Sequence, residues 1–182
     1  GPFHAGGGKT AVAAGHDAIT VAVIYRKDRV TPVGVPAVPD EAQYDAFNAT
    51  YGNRVPLAQT FEKTLAGGGK DQFTVVVNHL KSKGSVNDPD IGDGQGANNQ
   101  SRKRAVEQLQ AWLQGNPTQA GNGKNVLMGD FNAYAKEDPI SFLESQGYKK
   151  LGTGQYSYSF QTLWGSLDHV LVSSALASQV GN

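Results

Sequence analysis

The stretch that decides the fold is NVLMGDFNAYAKEDP, which runs from Asn125 to Pro139. Its apolar run Val126–Met128 predicts a buried strand, and the chain then breaks at Gly129 into an acid, an aromatic ring and an amide. A strand end can hold polar side chains rigidly over a site, but it is also an ordinary place for a turn. The rest of the sequence has to decide which interpretation applies here.

Bulk composition narrows the function classes. The chain has 182 residues, enough for one domain with a sizeable core. Lys plus Arg and Asp plus Glu both total 16, so the net charge is zero, which argues against a globally basic nucleic-acid binder but leaves a local basic patch open. There is no cysteine, so a bound metal must have oxygen or imidazole ligands, which favours Mg²⁺, Ca²⁺ or Mn²⁺.

Location is indicated only by composition. A cysteine-free chain with many small polar residues is typical of an exported bacterial protein, so we expect a secreted or cell-surface location. No signal peptide is present, so secretion would require earlier trimming. No apolar run approaches the roughly 20 residues of a membrane span, so we expect none.

Strand and helix patterns alternate in the second half of the chain, which predicts a mixed α/β fold. Residues 1–16 look like a flexible lead-in to one domain, 17–182. Long polar or proline-rich stretches predict loops at 30–43 and 84–100. Residues rich in β-branched and apolar types predict strands at 17–26, 56–63, 71–82, 125–131 and 166–174, while helical spacing predicts helices at 101–115, with Ser101 as N-cap, and at 138–147.

Three predicted strands carry a pair of polar side chains at one end. Any one histidine beside a strand is more often a surface or core residue than a catalytic group. The three pairs together suit phosphoryl transfer or phosphodiester hydrolysis with a hard metal, because carboxylates bind the metal, amides donate to phosphate and imidazoles move protons. The pairs are Asn78 with His79, Asp130 with Asn132, and Asp168 with His169.

The motifs NHLKSKGS, SRKRAVEQLQAWL, VLMGDFNAYAKEDP and SLDHVLVS occur in this order, and together they resemble the endonuclease/exonuclease/phosphatase superfamily. The resemblance covers about Asp17 to about Ser174 and is nearest to secreted bacterial extracellular nucleases. It implies a deoxyribonuclease I-like fold: an α/β four-layer sandwich of two packed, mostly antiparallel sheets flanked by helices.

The resemblance also implies a role for each motif residue. His79 would lie beside the scissile phosphate as hydrogen-bond donor or general acid. Asp130 would orient the attacking water and lie near the metal, and Asn132 would bind the phosphate. Asp168 would be a metal ligand, and His169 would act as general base or stabilise the transition state.

Two departures from the family pattern stand out. Members open with a strand carrying a phosphate-binding Asn and a strand ending in a metal-binding Glu, often written EIEN, and nothing before Asp17 matches either. We therefore expect the fold to be truncated at its N-terminus, with these strands supplied by another segment or chain. In addition, no acidic residue lies between Ser145 and Leu167 to pair with the last histidine.

Two further groups of charged residues invite a functional interpretation. Arg102 and Arg104, at the start of a predicted helix, could contact DNA phosphates, although a solvated helix end is the alternative. Asp88, Asp90 and Asp93 lie close together in the polar loop, which allows a structural Ca²⁺ site, although their spacing misses the EF-hand register and a solvated loop is the alternative.

The expected function is hydrolysis of phosphodiester bonds with Mg²⁺ or Mn²⁺, acting on DNA or RNA with little sequence preference. Asn78 is expected to bind substrate or to support its neighbour. One alternative is a phosphatase or a sphingomyelinase-type phosphodiesterase, which the lack of an obvious exposed aromatic or apolar insertion disfavours. Another is a degenerate, non-catalytic module.

Overall fold

The computed structural model describes residues 18–84, 88–152, 154–160 and 162–180, so the predicted lead-in 1–16 lies outside it. These residues form one large mixed sheet, a small second sheet and helices, which confirms the predicted α/β class. The second sheet has two strands and is therefore much smaller than the packed sheet that was expected.

The large sheet has six strands in the order β1-β2-β3-β4-β8-β5. All neighbouring strands are antiparallel except β3 and β4, which run parallel. The small sheet is an antiparallel pair, β6 and β7. The strands are β1 Thr31–Ala37, β2 Leu57–Thr64, β3 Lys70–His79, β4 Asn125–Asp130, β5 Tyr148–Leu151, β6 Tyr158–Phe160, β7 Leu163–Gly165 and β8 Asp168–Ser173.

In the described ranges, three α-helices accompany the sheet: α1 Asn99–Gln114, α2 Asp138–Ser145 and the short α3 Ser174–Ala177. A 3₁₀ turn, Asp45–Phe47, packs near α1. No helix in the described part of the chain is long and apolar enough to cross a membrane.

Side chains alternate between the two faces of the sheet, and only one face carries the main core. Val76, Leu127 and Leu171 are paired positions on β3, β4 and β8, and all are fully buried in the cluster that includes α1 and α2. On the opposite face, Val77 is only half-buried and its partner Met128 is exposed. The helices therefore cover one face, while the middle of the other remains accessible.

The first part of the domain differs from the sequence prediction. The predicted strand 17–26 has no strand in its described part, whereas the proline-rich stretch 30–43 contains β1. β1 is an edge strand with an irregular register between Val33 and Ala37. Prolines are tolerated at a sheet edge because no partner strand needs their missing N–H, so Pro32 does not prevent pairing.

Helix α1 begins earlier than predicted. Asn98 is at the N-cap with a left-handed φ of 62°, so Ser101 is not the cap. The Ser101 amide instead donates to the Asp88 carboxylate at 3.0 Å. A negatively charged acceptor at the start of a helix satisfies a free backbone amide and interacts favourably with the helix dipole. Asp88 therefore caps the N-terminus of α1.

Candidate active site

Three predicted site residues lie close together because the ends of three adjacent strands lie on the same side of the sheet. β3 and β4 are parallel and both end here, at His79 and Asp130, while antiparallel β8 begins here, at Asp168. His79 pairs with Asp130 and Asp130 pairs with Asp168 in the strand register. Directly paired residues point to the same face, so these side chains form a row, called here the open row.

The open row is accessible and partly charged. His79 Nε2 lies 3.8 Å from Asp130 Oδ2, and the two side chains are 29% and 35% exposed. Asp168 is exposed. The row therefore offers an imidazole and two carboxylates to a ligand on the face that the helices leave accessible.

Asn132 fixes the turn that follows the open row. Its backbone has a left-handed φ of 48°, its amide N–H donates to Asp130 Oδ1 at 2.8 Å, and its side-chain nitrogen donates to the Leu80 carbonyl at 2.9 Å. The Leu80 amide in turn donates to the Asp130 carbonyl at 2.9 Å. These bonds tie the ends of β3 and β4 together, while the predicted contact of Asn132 with phosphate stays a prediction.

A second row lies on the opposite face, one residue away along each strand. It consists of Asn78, Gly129 and His169, which are paired across β3, β4 and β8, and is called here the buried row. Asn78 is buried, and its side-chain nitrogen donates to the Val76 carbonyl at 3.0 Å. This placement contradicts a substrate-binding role for Asn78 and gives it a supporting one.

Gly129 is required at the centre of the buried row. Its φ is +128°, and a Cβ placed there would lie 2.1 Å from the Asn78 carbonyl oxygen. Because the obstacle is backbone on a central strand, it cannot move aside as a flexible side chain would. Glycine at this position therefore permits β4 to pack closely on β3 just before Asp130.

His169 belongs to the buried row and not to the open one. Its ring is buried, and Nε2 lies 2.7 Å from the Ala133 carbonyl, so Nε2 carries the proton and donates to that oxygen. Burial lowers the pKa of His169, and nearby Lys150 lowers it further, against an opposing effect of the Ala133 carbonyl. His169 therefore lies one row away from the open row, although it lines the same cleft as Asp168 and the charges of Asp168 and Asp130 act to raise its pKa. Its predicted general-base role stays a prediction.

The structure contradicts the predicted DNA contact of Arg102. Its side chain is 0% exposed, and it donates to the carbonyls of Lys81 at 3.2 Å and Ala97 at 2.9 Å. Burial lowers its pKa, although the nearby Glu137 opposes this shift. Arg102 was misjudged because sequence gives a helix start but not which of its sides faces inward. Arg104 is part-exposed and paired with Asp45 at 2.8 Å.

The three acids of the polar loop do not form the predicted Ca²⁺ site. Asp90 Oδ1 accepts from the Gly92 amide at 2.9 Å, and Asp93 Oδ1 accepts from the Gln95 amide at 3.0 Å. These are local turns, and Asp88 caps α1. Within the described ranges, no group of three or more acidic or histidine side chains is placed to hold a metal ion.

A cleft of about 420 Å³ lies at the start of β8 and was not predicted. Asp168 and His169 both line it, together with Lys136, Tyr156 and Trp164. The two aromatic rings are 67% and 70% exposed, although the sequence indicated no exposed aromatic insertion obviously suited to lipid. The alternation of the YSYSF segment predicts a strand that presents aromatics, but only the structure places it beside the site.

The sequence profile of the Endonuclease/Exonuclease/phosphatase family matches residues 2–181. The chain therefore belongs to this family, and the resemblance drawn from its motifs is confirmed. Members are generally hydrolases that act on phosphodiester bonds. No curated protein matches the chain significantly.

Solved structures support the same fold. The human Nocturnin catalytic domain with bound sulfate anion is 21% identical with a TM-score of 0.52, over 81% of this chain and 49% of that one. A functionally unknown conserved protein from Enterococcus faecalis V583 is 16% identical with a TM-score of 0.54, over 82% of this chain and 57% of that one. The chain thus spans about half the length of the structures it matches, and at these identities the likeness shows the fold alone.

Proposed function

We propose that this protein hydrolyses phosphodiester bonds of nucleic acid with the help of Mg²⁺ or Mn²⁺. The observation that carries the proposal is the open row, in which His79, Asp130 and Asp168 occupy paired positions on three adjacent strands. An imidazole beside two carboxylates at accessible strand ends suits this chemistry, because carboxylates can hold the metal and an imidazole can move a proton. Membership of a family whose members generally cleave phosphodiesters supports it further.

The donor set fits a small hard cation. Mg²⁺ usually keeps several water ligands and is bound by one or two carboxylates together with phosphate oxygens, so Asp130 and Asp168 suffice on the protein side. Members of the family typically use divalent metals. Bound there, the ion would neutralise negative charge on the phosphate.

Three residues of the site have separate proposed roles in the hydrolysis. His79 would donate a hydrogen bond to a phosphate oxygen or a proton to the leaving oxygen, and its Nε2 lies 3.8 Å from Asp130 Oδ2. Asp130 orients the attacking water with the oxygen atom that does not accept from Asn132. Asn132 is buried and holds this carboxylate in place through its backbone N–H, while its side-chain nitrogen donates to the Leu80 carbonyl.

Plasmid DNA cleavage tests the proposal. We expect Mg²⁺-dependent nicking that EDTA stops, and a loss of at least about 100-fold in rate for Asp130→Asn, because several kcal/mol of transition-state stabilisation depend on such a group. Asp93→Asn is the matched control, since Asp93 serves a local turn. Cleavage by Asp130→Asn at the rate of the unmodified chain would refute the assignment.

Two observations keep alternatives in view. The exposed Tyr156 and Trp164 favour a lipid phosphodiester as a second candidate substrate, which cleavage of sphingomyelin vesicles but not of DNA would support. The open row contains only two carboxylates, which favours a module that binds nucleic acid without cleaving it. DNA binding that EDTA does not affect, without any cleavage, would support this alternative. The secreted or cell-surface location stays a prediction from composition.

A further inference from the structure

We propose that the paired rings of Tyr156 and Trp164 are a stacking platform for an unpaired nucleobase next to the open row. The preferred substrate would then be single-stranded or locally unpaired nucleic acid. This inference rests on the proposed function and narrows its substrate class.

The two rings are exposed although they touch each other. Tyr156 and Trp164 are 67% and 70% exposed, and their ring centroids lie 6.5 Å apart at an interplanar angle of 60°. Tyr158, on the same hairpin, is 42% exposed. Large aromatic side chains gathered at one accessible place indicate a binding surface, because isolated domains rarely leave such surface in water.

The platform is fixed to the candidate site by hydrogen bonds. The Ser157 amide donates to the Gly165 carbonyl at 3.0 Å, which joins the segments bearing the two rings. Ser157 Oγ accepts from the amides of Leu167 and Asp168, each at 3.2 Å. A base stacked on the rings would therefore be held in a constant position relative to Asp168, one of the two proposed metal ligands of the open row.

A close packing contact gives a second anchor. A Cβ on Gly165 would lie 2.4 Å from the ring of Tyr134, so the hairpin rests directly against that ring. Lys83 Nζ lies 4.6 Å from the centroid of the same ring. Tyr134 follows Ala133, whose carbonyl accepts from His169, so the turn after β4 supports both the hairpin and the start of β8.

The charge and size of the cleft favour a nucleotide over a membrane. Lys136 and Lys150 line it beside Tyr156 and Trp164, so cationic groups for phosphate and rings for a base occur together. Its volume of about 420 Å³ falls within the range of small-ligand sites, roughly 300–1,000 Å³. Exposed rings beside cationic side chains suit base stacking combined with phosphate binding.

Tryptophan fluorescence measures the contact directly. The chain has two tryptophans, and Trp112 is buried at 6% exposure, so quenching by a ligand reports Trp164. In EDTA, which prevents turnover, we expect single-stranded oligothymidylate to quench the emission and a blunt duplex to quench it much less. Trp164→Phe, which keeps a ring, should lose this response.

Affinity measurements give the size of the effect. We expect Trp164→Ala and Tyr156→Ala each to weaken binding of labelled oligothymidylate by about 10-fold or more, as for other stacked bases, and to leave duplex binding nearly unchanged. Leu65→Ala is the matched control, because Leu65 is an exposed apolar residue beyond the far end of β2. Equal loss for single strand and duplex, or no quenching by oligothymidylate, would overturn the inference.

The outcomes separate this inference from the function on which it rests. DNA cleavage without oligothymidylate quenching would keep the proposed function and reject the platform. Quenching and ring-dependent binding without cleavage would keep the platform and reject the enzyme. A shift of Trp164 emission by phosphatidylcholine–phosphatidylserine vesicles, without any response to oligothymidylate, would reject the platform in favour of a membrane contact.

Discussion

The open row and the buried row lie on the same three strands, one residue apart, and they differ in exposure and in hydrogen bonding. His79, Asp130 and Asp168 are accessible, whereas Asn78 and His169 are buried and bonded to backbone carbonyls. Each row contains a histidine that the sequence marks as catalytic. The position of a histidine in a motif therefore does not show whether its side chain is accessible to substrate, because side chains alternate between the two faces along a strand.

The largest expected effect comes from the centre of the buried row. Gly129→Ala should lower the free energy of unfolding by on the order of 3 kcal/mol or more, because its Cβ meets backbone and its φ is positive. Gly68→Ala is the control: its φ is +81° with nothing within 4 Å, so about 1 kcal/mol is expected. Equal losses in urea unfolding would show that β4 does not pack closely on β3 at Gly129.

The second effect is a pH dependence from His169. Burial holds its pKa below the ordinary value of about 6.5, so the folded state keeps the ring neutral while the unfolded chain takes up a proton below that pH. The stability this ring contributes is therefore present above about pH 6.5 and is lost as pH falls, by at most about 1.4 kcal/mol per unit.

His169→Gln should reduce this acid sensitivity while keeping a donor for the Ala133 carbonyl. His79→Gln serves as the control, because it changes the exposed histidine of the open row and leaves His169 in place. Urea unfolding at several pH values measures both variants. An acid slope unchanged in His169→Gln would argue that this ring is not the buried neutral group described here.

The smallest expected effect concerns the loop acids. Because Asp90 and Asp93 serve local turns and Asp88 caps α1, any effect of Ca²⁺ on the melting temperature should be the same in Asp90→Asn as in the unmodified chain. A ligand that binds only the folded state would raise it. A Ca²⁺-dependent rise that Asp90→Asn removes would restore the calcium site that the sequence suggested.

Much of the central sheet could be predicted from sequence. The apolar runs ending at His79 and Asp130 gave strands with nearly correct bounds, because β-branched runs closed by polar residues have few other solutions. The strand ends and the family motifs predicted His79, Asp130 and Asp168 as site residues, but the row that they form is known only from the strand register. Edge strand β1 was missed because its prolines look like a loop until a partner strand is known.

The sequence did not predict which face of an element a side chain occupies, or whether that side chain is buried. Arg102 begins a helix with basic neighbours, and its burial depends on the carbonyls of Lys81 and Ala97, which come from distant or irregular segments. His169 follows Asp168 directly, and a single residue of register decides which of them is accessible. The aromatic platform likewise depends on how the β6–β7 hairpin folds against Tyr134.

The most direct test of the account compares Asp168→Asn with His169→Gln, neighbours in sequence that point to opposite faces. The measurement is the initial rate of Mg²⁺-dependent plasmid cleavage at equal folded concentration. The account predicts at least about a 100-fold loss for Asp168→Asn at an unchanged melting temperature, and a rate within about 10-fold for His169→Gln. The reverse result, full activity in Asp168→Asn and loss in folded His169→Gln, would contradict it.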